Sequence, residues 1–303
     1  MLLPSFDYHE PWDIAEAASL LASLGERGEL IAGGTDVLIR LQAQGPHDRT
    51  ALIGLGHIRD LAFLEAKDGI LRLGALTCVL DLEQSALLVR TLPALVDAAR
   101  VFASVQIRAL ATLGGNLCNA SPAADLAPPL LAAQAEVVLR GVREQRQVPL
   151  DDFCLGPGRT ARSQDEVLCE VRFRVPGFHS GSAYLRFSPR RSMDIAFVSV
   201  AAYVTLATDH RRIERVTIAL GAVAPTVIRV RRAEEFLAGA EPEPKAFEAA
   251  GALASAECSP ISDVRASAEY RRDLVRVLVP RCLRVAVDRA LGNVPESKAV
   301  LES

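Results

Sequence analysis

The chain has 303 residues, half of them apolar, with 34 basic and 37 acidic side chains and a formal charge of −3. That length accommodates two domains and a sizeable core, and a near-neutral chain with no basic stripe lacks the electrostatic footprint of nucleic-acid binding. The longest apolar stretch, Ile195 to Ala207, carries Ser199 and Thr205 and is too short to cross a bilayer as a helix.

The opening Met1-Leu2-Leu3-Pro4-Ser5 has no basic segment followed by an apolar run. No secretory signal is readable, and the expected location is the cytoplasm. A first helix is predicted from Asp13 to Leu24, where Ile14, Ala17, Ala18, Leu21 and Leu24 recur at helical spacing and Gly25 stops the run. Glu29 to Ala32 reads as a short buried strand entering Gly33-Gly34, and Ala51 to Leu55 as another. Ala62 to Glu65 and Ile70 to Leu73 flank Lys67-Asp68-Gly69, which predicts a hairpin. A helix follows over Leu92 to Ala103, then a glycine-rich stretch, then a strand over Ala135 to Leu139.

After a strand over Val167 to Val175, Pro176-Gly177 marks a boundary, dividing the chain into 1–177 and 178–303. Beyond it, Ser182 to Phe187, Ile195 to Leu206 and Ile213 to Gly221 read as a three-stranded meander. Helices are then predicted at Arg231 to Leu237, Lys245 to Ser255 and Ala268 to Leu291. Strands followed by helices predict an α+β domain with its helices on one face of an antiparallel sheet. The last dozen residues, where Pro295, Glu296, Ser297, Lys298 and Glu302 gather, have the composition of a disordered tail.

Cys78, Cys118, Cys154, Cys169, Cys258 and Cys282 form no C-x-x-C pair and no zinc or iron–sulfur spacing. They read as scattered thiols in a reducing compartment, and no metal is expected on this chain. The five histidines are dispersed, and no Ser–His–Asp or Cys–His pairing stands out. Gly54-Leu55-Gly56-His57-Ile58-Arg59 lacks the third glycine of a dinucleotide fingerprint and reads as a turn.

Two glycine turns carry the chemistry. In Leu30-Ile31-Ala32-Gly33-Gly34-Thr35-Asp36 an apolar strand ends in two glycines, a hydroxyl and a carboxylate. Paired glycines permit positive φ and close backbone approach, so consecutive N–H groups can converge on an anion. Taken alone, the same pattern also serves merely to turn a corner. The second stretch, Ala111 to Pro128, is richer. Thr112, Asn116, Asn119, Ser121 and Asp125 punctuate an otherwise apolar segment around Gly114-Gly115, and Asp125 can accept two hydroxyl hydrogen bonds. That composition predicts a ligand-lining loop.

Together, Ala32-Gly33-Gly34-Thr35-Asp36, Thr112-Leu113-Gly114-Gly115-Asn116 and Ser121-Pro122-x-x-Asp125 resemble the paired flavin loops of the FAD-binding medium subunits of molybdenum hydroxylases. That family includes xanthine dehydrogenase, aerobic carbon monoxide dehydrogenase and 4-hydroxybenzoyl-CoA reductase. The resemblance continues in Arg190-Arg191-Ser192-Met193-Asp194-Ile195-Ala196, in Gly221-Ala222-Val223-Ala224-Pro225-Thr226 and in Asp263 to Arg272 (D-x-R-x-S-A-x-Y-R), in the family's order over nearly the whole chain. The long cysteine-bearing insertion of 4-hydroxybenzoyl-CoA reductase is missing after Gly115, which places the chain nearer the plain xanthine dehydrogenase type.

The resemblance implies a two-lobed FAD-binding domain of the PCMH or vanillyl-alcohol-oxidase type over 1–177 and a C-terminal α+β domain over 178–303. It implies that backbone groups of Ala32, Gly33, Gly34, Thr35 and Asp36 bind the pyrophosphate of a non-covalent FAD, with Leu30, Ile31 and Val37 supporting the turn. Phe102, Ala103 and Ile107 would line the flavin or adenine. Thr112, Gly114, Gly115, Asn116, Cys118 and Asn119 would form the second wall, and Asp125 would hold a sugar hydroxyl. Leu168 and Arg186 fall where relatives place an apolar contact and a lysine near the ring. Arginine there keeps the charge but changes reach and donor geometry.

The implied role is electron transfer without substrate chemistry in this chain, inside an oxidoreductase complex. A large subunit with molybdopterin and a small subunit with [2Fe-2S] clusters would be the partners, in a dimer of heterotrimers. The rivals are a self-sufficient flavin oxidoreductase of the same fold and a subunit that keeps the fold without flavin.

Overall fold

The computed structural model describes residues 5–44, 50–190 and 193–293. The expected tail over Pro295 to Glu302, and Arg191 and Ser192 of the Arg190–Ala196 motif, lie outside the described residues.

The chain opens with β1 (Phe6–His9), α1 (Ile14–Leu24), β2 (Gly28–Ile31), α2 (Val37–Gln44) and β3 (Thr50–Gly54). α1 begins where its sequence signals it: the Asp13 carboxylate accepts from Glu16 N at 2.8 Å, and Glu16 returns the favour to Trp12 N at 2.8 Å. It ends on Gly25 at φ 57°. Ala17, Ala18 and Leu21 are its fully buried face. They pack beside Ile53, Leu55 and Ile58, and each large aliphatic side chain so buried contributes about 1.5–3 kcal/mol. β3 lies between β1 and β2, parallel to both. β2 therefore delivers Gly33-Gly34 to the carboxyl edge of a parallel sheet, the usual ligand side of such sheets.

A second lobe follows. β4 (Leu64–Lys67) and β5 (Ile70–Gly74) form the predicted hairpin; Asp68 at φ 52° and Gly69 at φ 75° give its turn the double positive φ that matches strand twist. Helices α3 (Val79–Gln84), α4 (Ala86–Thr91), α5 (Pro93–Val101), α6 (Val105–Arg108), α7 (Leu113–Cys118) and α8 (Ala127–Ala132) come next. Then follow β6 (Glu136–Arg140), β7 (Gln145–Pro149), α9 (Leu150–Phe153), the small hairpin β8 (Cys154–Gly156) and β9 (Arg159–Thr160), and β10 (Val167–Arg174). β10 is the centre of an antiparallel sheet ordered β4-β5-β10-β6-β7.

The stretch from Ala111 to Pro128, read from sequence as a loop, contains α7 and the first residues of α8. α7 carries two adjacent glycines, which disfavour a helix by roughly 1 kcal/mol each. Tertiary burial overrides that preference: Leu113 and Leu117, four residues apart, are both buried, and the Thr112 hydroxyl caps the turn by accepting from Gly115 N.

The last third is a sheet ordered β11-β12-β13-β14, made of β11 (Ser180–Phe187), β12 (Val198–Leu206), β13 (Ile213–Gly221) and β14 (Ile228–Arg229), antiparallel throughout. α10 (Arg231–Leu237), α11 (Pro244–Glu257) and α12 (Ala268–Ala290) follow it. Alternation divides the sheet's faces. Val198, Val200, Ala202 and Val204 share a core with Val275, Val279 and Leu283 of α12, whereas Tyr184, Ala201 and Ala219 enter the core of the second lobe.

A buried polar junction fixes this packing. The Asp97 carboxylate of α5 accepts from Tyr184 N at 3.3 Å and from Arg289 Nη1 at 2.6 Å and Nη2 at 3.1 Å. Among the described residues no helix is long and apolar enough to cross a membrane.

Candidate functional site

The two glycine turns meet. A Cβ placed on Gly33 would lie 1.9 Å from the carbonyl oxygen of Leu110, so only glycine lets the first turn rest against the backbone leading into the second. Gly34 takes φ +71° and turns the chain into α2. The N–H groups of Gly33, Gly34, Thr35 and Asp36 find no acceptor among the described residues; the capping bonds here run from Leu38 N to Gly34 O and from Arg40 N to Asp36 O. Unspent donors at the start of an eight-residue helix make this wall a cradle for an anion.

The second turn works differently. Leu113 N donates to Thr77 O at 3.0 Å, Gly114 N to Ala75 O at 2.8 Å, and Gly115 N to Thr112 Oγ1 at 3.1 Å. A Cβ on Gly114 would meet Ala75 at 2.8 Å. Gly114 thus serves close packing against Ala75, and the amides of Leu113, Gly114 and Gly115 are already spent. What it offers the cleft is side chains: Asn116 Oδ1 is buried and has no partner.

Between the turns runs a cleft of about 530 Å³. Of the residues anticipated from sequence, it gathers Leu30, Ala32, Gly33, Gly34, Thr35, Asp36, Val37, Phe102, Thr112, Gly114, Gly115, Asn116, Cys118, Asn119 and Leu168. Ile31 stands behind the first turn, its Cδ1 3.3 Å from the position of a Gly34 Cβ. Ile107 packs on the second-lobe core, and Ala103 forms the bend after Phe102 at φ 40°. Arg108 steadies that bend by donating to Phe102 O at 2.9 Å and pairing with Glu83 at 2.8 Å.

Asp125 and Arg186 do not line the cleft; each is spent on the other. The Asp125 carboxylate accepts from Tyr184 OH at 2.6 Å and from Arg186 Nη1 at 3.1 and 3.3 Å. The two side chains are only 12% and 4% exposed. Instead of presenting a free carboxylate to a sugar, Asp125 ties the segment before α8 to β11, while Arg186 Nη2 stays buried without a partner.

Burial sets the protonation of the site. The Cys118 thiol is pushed up to about 11, so it stays protonated near neutrality and is no nucleophile. Burial also raises the Asp36 and Asp125 carboxyls, for Asp125 against the opposing pull of Arg186 and Tyr184. Tyr184 is raised well above an ordinary phenol, first by burial and then by the Asp125 charge.

Other lining groups had no sequence signal, notably Glu26, Glu29, Arg40, Leu76, Thr160, Arg162 and Gln164. They come from strands, short turns and, for Arg40, from α2, without a motif, and only the fold brings them to the cleft. Conversely, two motifs of the second half make structural contacts. Arg271 is buried and donates to Phe197 O at 2.6 Å, Ala222 O at 3.0 Å and Asp263 Oδ1 at 2.9 Å. The Gly221–Thr226 turn meets the second glycine loop through Ala222 N and Pro122 O at 2.7 Å.

Residues 4–176 match the family described as the FAD binding domain in molybdopterin dehydrogenase, and residues 183–286 match the CO dehydrogenase flavoprotein C-terminal domain. The chain is 35% identical over 289 residues to a putative xanthine dehydrogenase FAD-binding subunit of Escherichia coli K12, covering 94% of this chain and 97% of that one. It is 33% identical over 291 residues to the carbon monoxide dehydrogenase medium chain of Hydrogenophaga pseudoflava, covering 94% and 98%. Its fold superposes on a solved carbon monoxide dehydrogenase of the same organism, one lacking the Mo-pyranopterin moiety of its cofactor, with a TM-score of 0.91 and 31% identity over 95% of this chain and 99% of that one.

Proposed function

Because this chain belongs to the FAD-binding subunits of the molybdenum hydroxylases, we propose that it is the electron-transfer subunit of a multi-subunit oxidoreductase, taking electrons from iron–sulfur clusters of a partner and passing them to an external acceptor. FAD, when bound, exchanges electrons one or two at a time, and so couples single-electron clusters to a two-electron acceptor; the chain's own task is to hold, orient and enclose it.

The observation that carries this reading is the donor set of the cleft. Four unspent backbone N–H groups at Gly33 to Asp36 offer a cradle for a diphosphate, and the orphaned Asn116 Oδ1 offers a buried acceptor for a hydroxyl or ring N–H. Phe102, Leu168 and Leu30 supply apolar contacts for ring systems. FAD fits these groups. Residues 1–177 would form the FAD-binding domain and 178–303 the C-terminal domain that braces it through Asp97–Arg289 and Asp125–Arg186. Molybdopterin and [2Fe-2S] clusters belong, on this reading, to a large and a small partner subunit, assembled as a dimer of heterotrimers in the cytoplasm.

The rival is a self-sufficient flavin oxidoreductase. It needs a base near the cleft to take a substrate proton; the carboxylates of Glu26, Glu29 and Asp36 line the cleft, so the two readings are separated by where a donor reduces the flavin. The test compares the purified complex with the isolated, FAD-loaded chain, each mixed anaerobically with a panel of aldehydes and nitrogen heterocycles. Bleaching of flavin absorbance in the complex alone is expected. Bleaching in the isolated chain by the same donor would overturn the carrier reading in favour of the rival.

A further inference from the structure

The cleft's charges are unevenly matched, and one residue stands out. Its lining carries the carboxylates of Glu26, Glu29 and Asp36 against the guanidinium groups of Arg40 and Arg162. Arg40 is already paired with Glu29. Arg162 has no carboxylate partner among the described residues: its Nη1 donates to the carbonyls of Glu166 at 2.7 Å and Ser163 at 3.2 Å. The nearby Glu166 carboxylate is occupied by Arg146 at 2.6 and 2.8 Å and by Ser163 N at 2.6 Å. Two carbonyls hold the guanidinium in place without neutralising it.

The turn that carries it is anchored as well. Gln164 Nε2 reaches across to Gly25 O of the first lobe at 2.7 Å, and Arg162 N donates to Thr160 Oγ1 at 3.4 Å. Arg162 is thus an uncompensated cation at a fixed place in a cleft that is otherwise net negative. Oxidised FAD carries its formal negative charge on the diphosphate alone. Without Arg162 the lining would set three carboxylates against one paired arginine, which is a poor site for a dianion.

We propose that Arg162 is a specificity-determining residue for the dinucleotide, the cation that meets the cofactor's diphosphate and completes the backbone cradle at Gly33 to Asp36. The inference rests on the reading of the cleft as an FAD site. Loss of a charge-assisted hydrogen bond in a partly enclosed site weakens binding about 10- to 100-fold. Lysine, a point charge without the planar fork, restores part of the loss.

The experiment titrates FAD, and separately riboflavin, into the deflavinated complex carrying wild-type chain, Arg162→Gln or Arg162→Lys, with far-ultraviolet circular dichroism confirming the fold of each. The expected result is a loss of FAD affinity of that size for Arg162→Gln, with weaker salt dependence, partial recovery for Arg162→Lys, and unchanged riboflavin binding in all three. Equal loss for FAD and riboflavin, or wild-type FAD affinity in Arg162→Gln, would overturn the assignment. Wild-type complex that binds no FAD would instead overturn the cofactor reading beneath it.

Discussion

Replacing Asp125 with alanine separates two roles that a carboxylate next to a flavin loop can have. Removal of this side chain strands the Arg186 guanidinium, only 4% exposed and with Nη2 already lacking a partner, and leaves Tyr184 OH without its 2.6 Å acceptor. Breaking a buried pair from one side costs about 3–5 kcal/mol. At roughly 2–4 °C per kcal/mol for a domain of this size, the melting temperature falls by about 10 °C. Asp125→Asn keeps an acceptor for Tyr184 but not the charge, and falls between. Asp125→Ala with Arg186→Met removes both charges together and recovers much of the loss, because the penalty lies in the unpaired ion more than in the missing bond. Thermal denaturation of the purified complex, followed by circular dichroism, reads all four proteins. If Asp125→Ala melts with the wild type yet loses its flavin, the structural assignment is wrong and Asp125 is a ligand contact.

Two further outcomes follow from the geometry. Gly33→Ala drives a Cβ into the Leu110 carbonyl and costs about 2–3 kcal/mol together with flavin retention, whereas Gly56→Ala, where a Cβ meets nothing within 4 Å, is neutral in the same denaturation and flavin-content assays. The Glu166 carboxyl is held below its ordinary value of 4.5, chiefly by its hydrogen bonds from Arg146. A depressed folded-state pKa contributes stability that is complete above the ordinary value and is lost as pH falls through the folded value. Glu166→Gln should therefore flatten the dependence of melting temperature on pH below about 4.5 and lower stability at neutral pH; an unchanged acid limb would show that the pair contributes nothing.

The elements legible in the sequence are those that local rules specify. α1 has an aspartate cap, helical apolar spacing and a terminal glycine; the β4–β5 turn has Asp-Gly; the β11–β13 meander and α10 to α12 form close to the bounds read from the sequence. What escaped depends on distant partners. β1 is only four residues long and exists by pairing with β3, and α7 contains two glycines that only burial makes helical. The site divides the same way. Glycine turns and their polar neighbours announce themselves, and fifteen of the anticipated residues line one cleft. Their physical roles were not so legible. Gly33 and Gly114 are glycine because backbone lies against them, and Asp125 and Arg186, 61 residues apart, satisfy each other. Nor did anything in the chain near Arg162 mark it as a cleft residue, since its position follows from how the turn after β9 is tied to Gly25.

The measurement that bears most directly on the account is the flavin content of the chain purified with its co-expressed partners: an absorption spectrum, then acid precipitation and identification of what is released. The account predicts a flavin spectrum and intact FAD in the supernatant, close to one equivalent per chain. A folded, partner-associated sample with no flavin would contradict it and leave the chain a structural subunit.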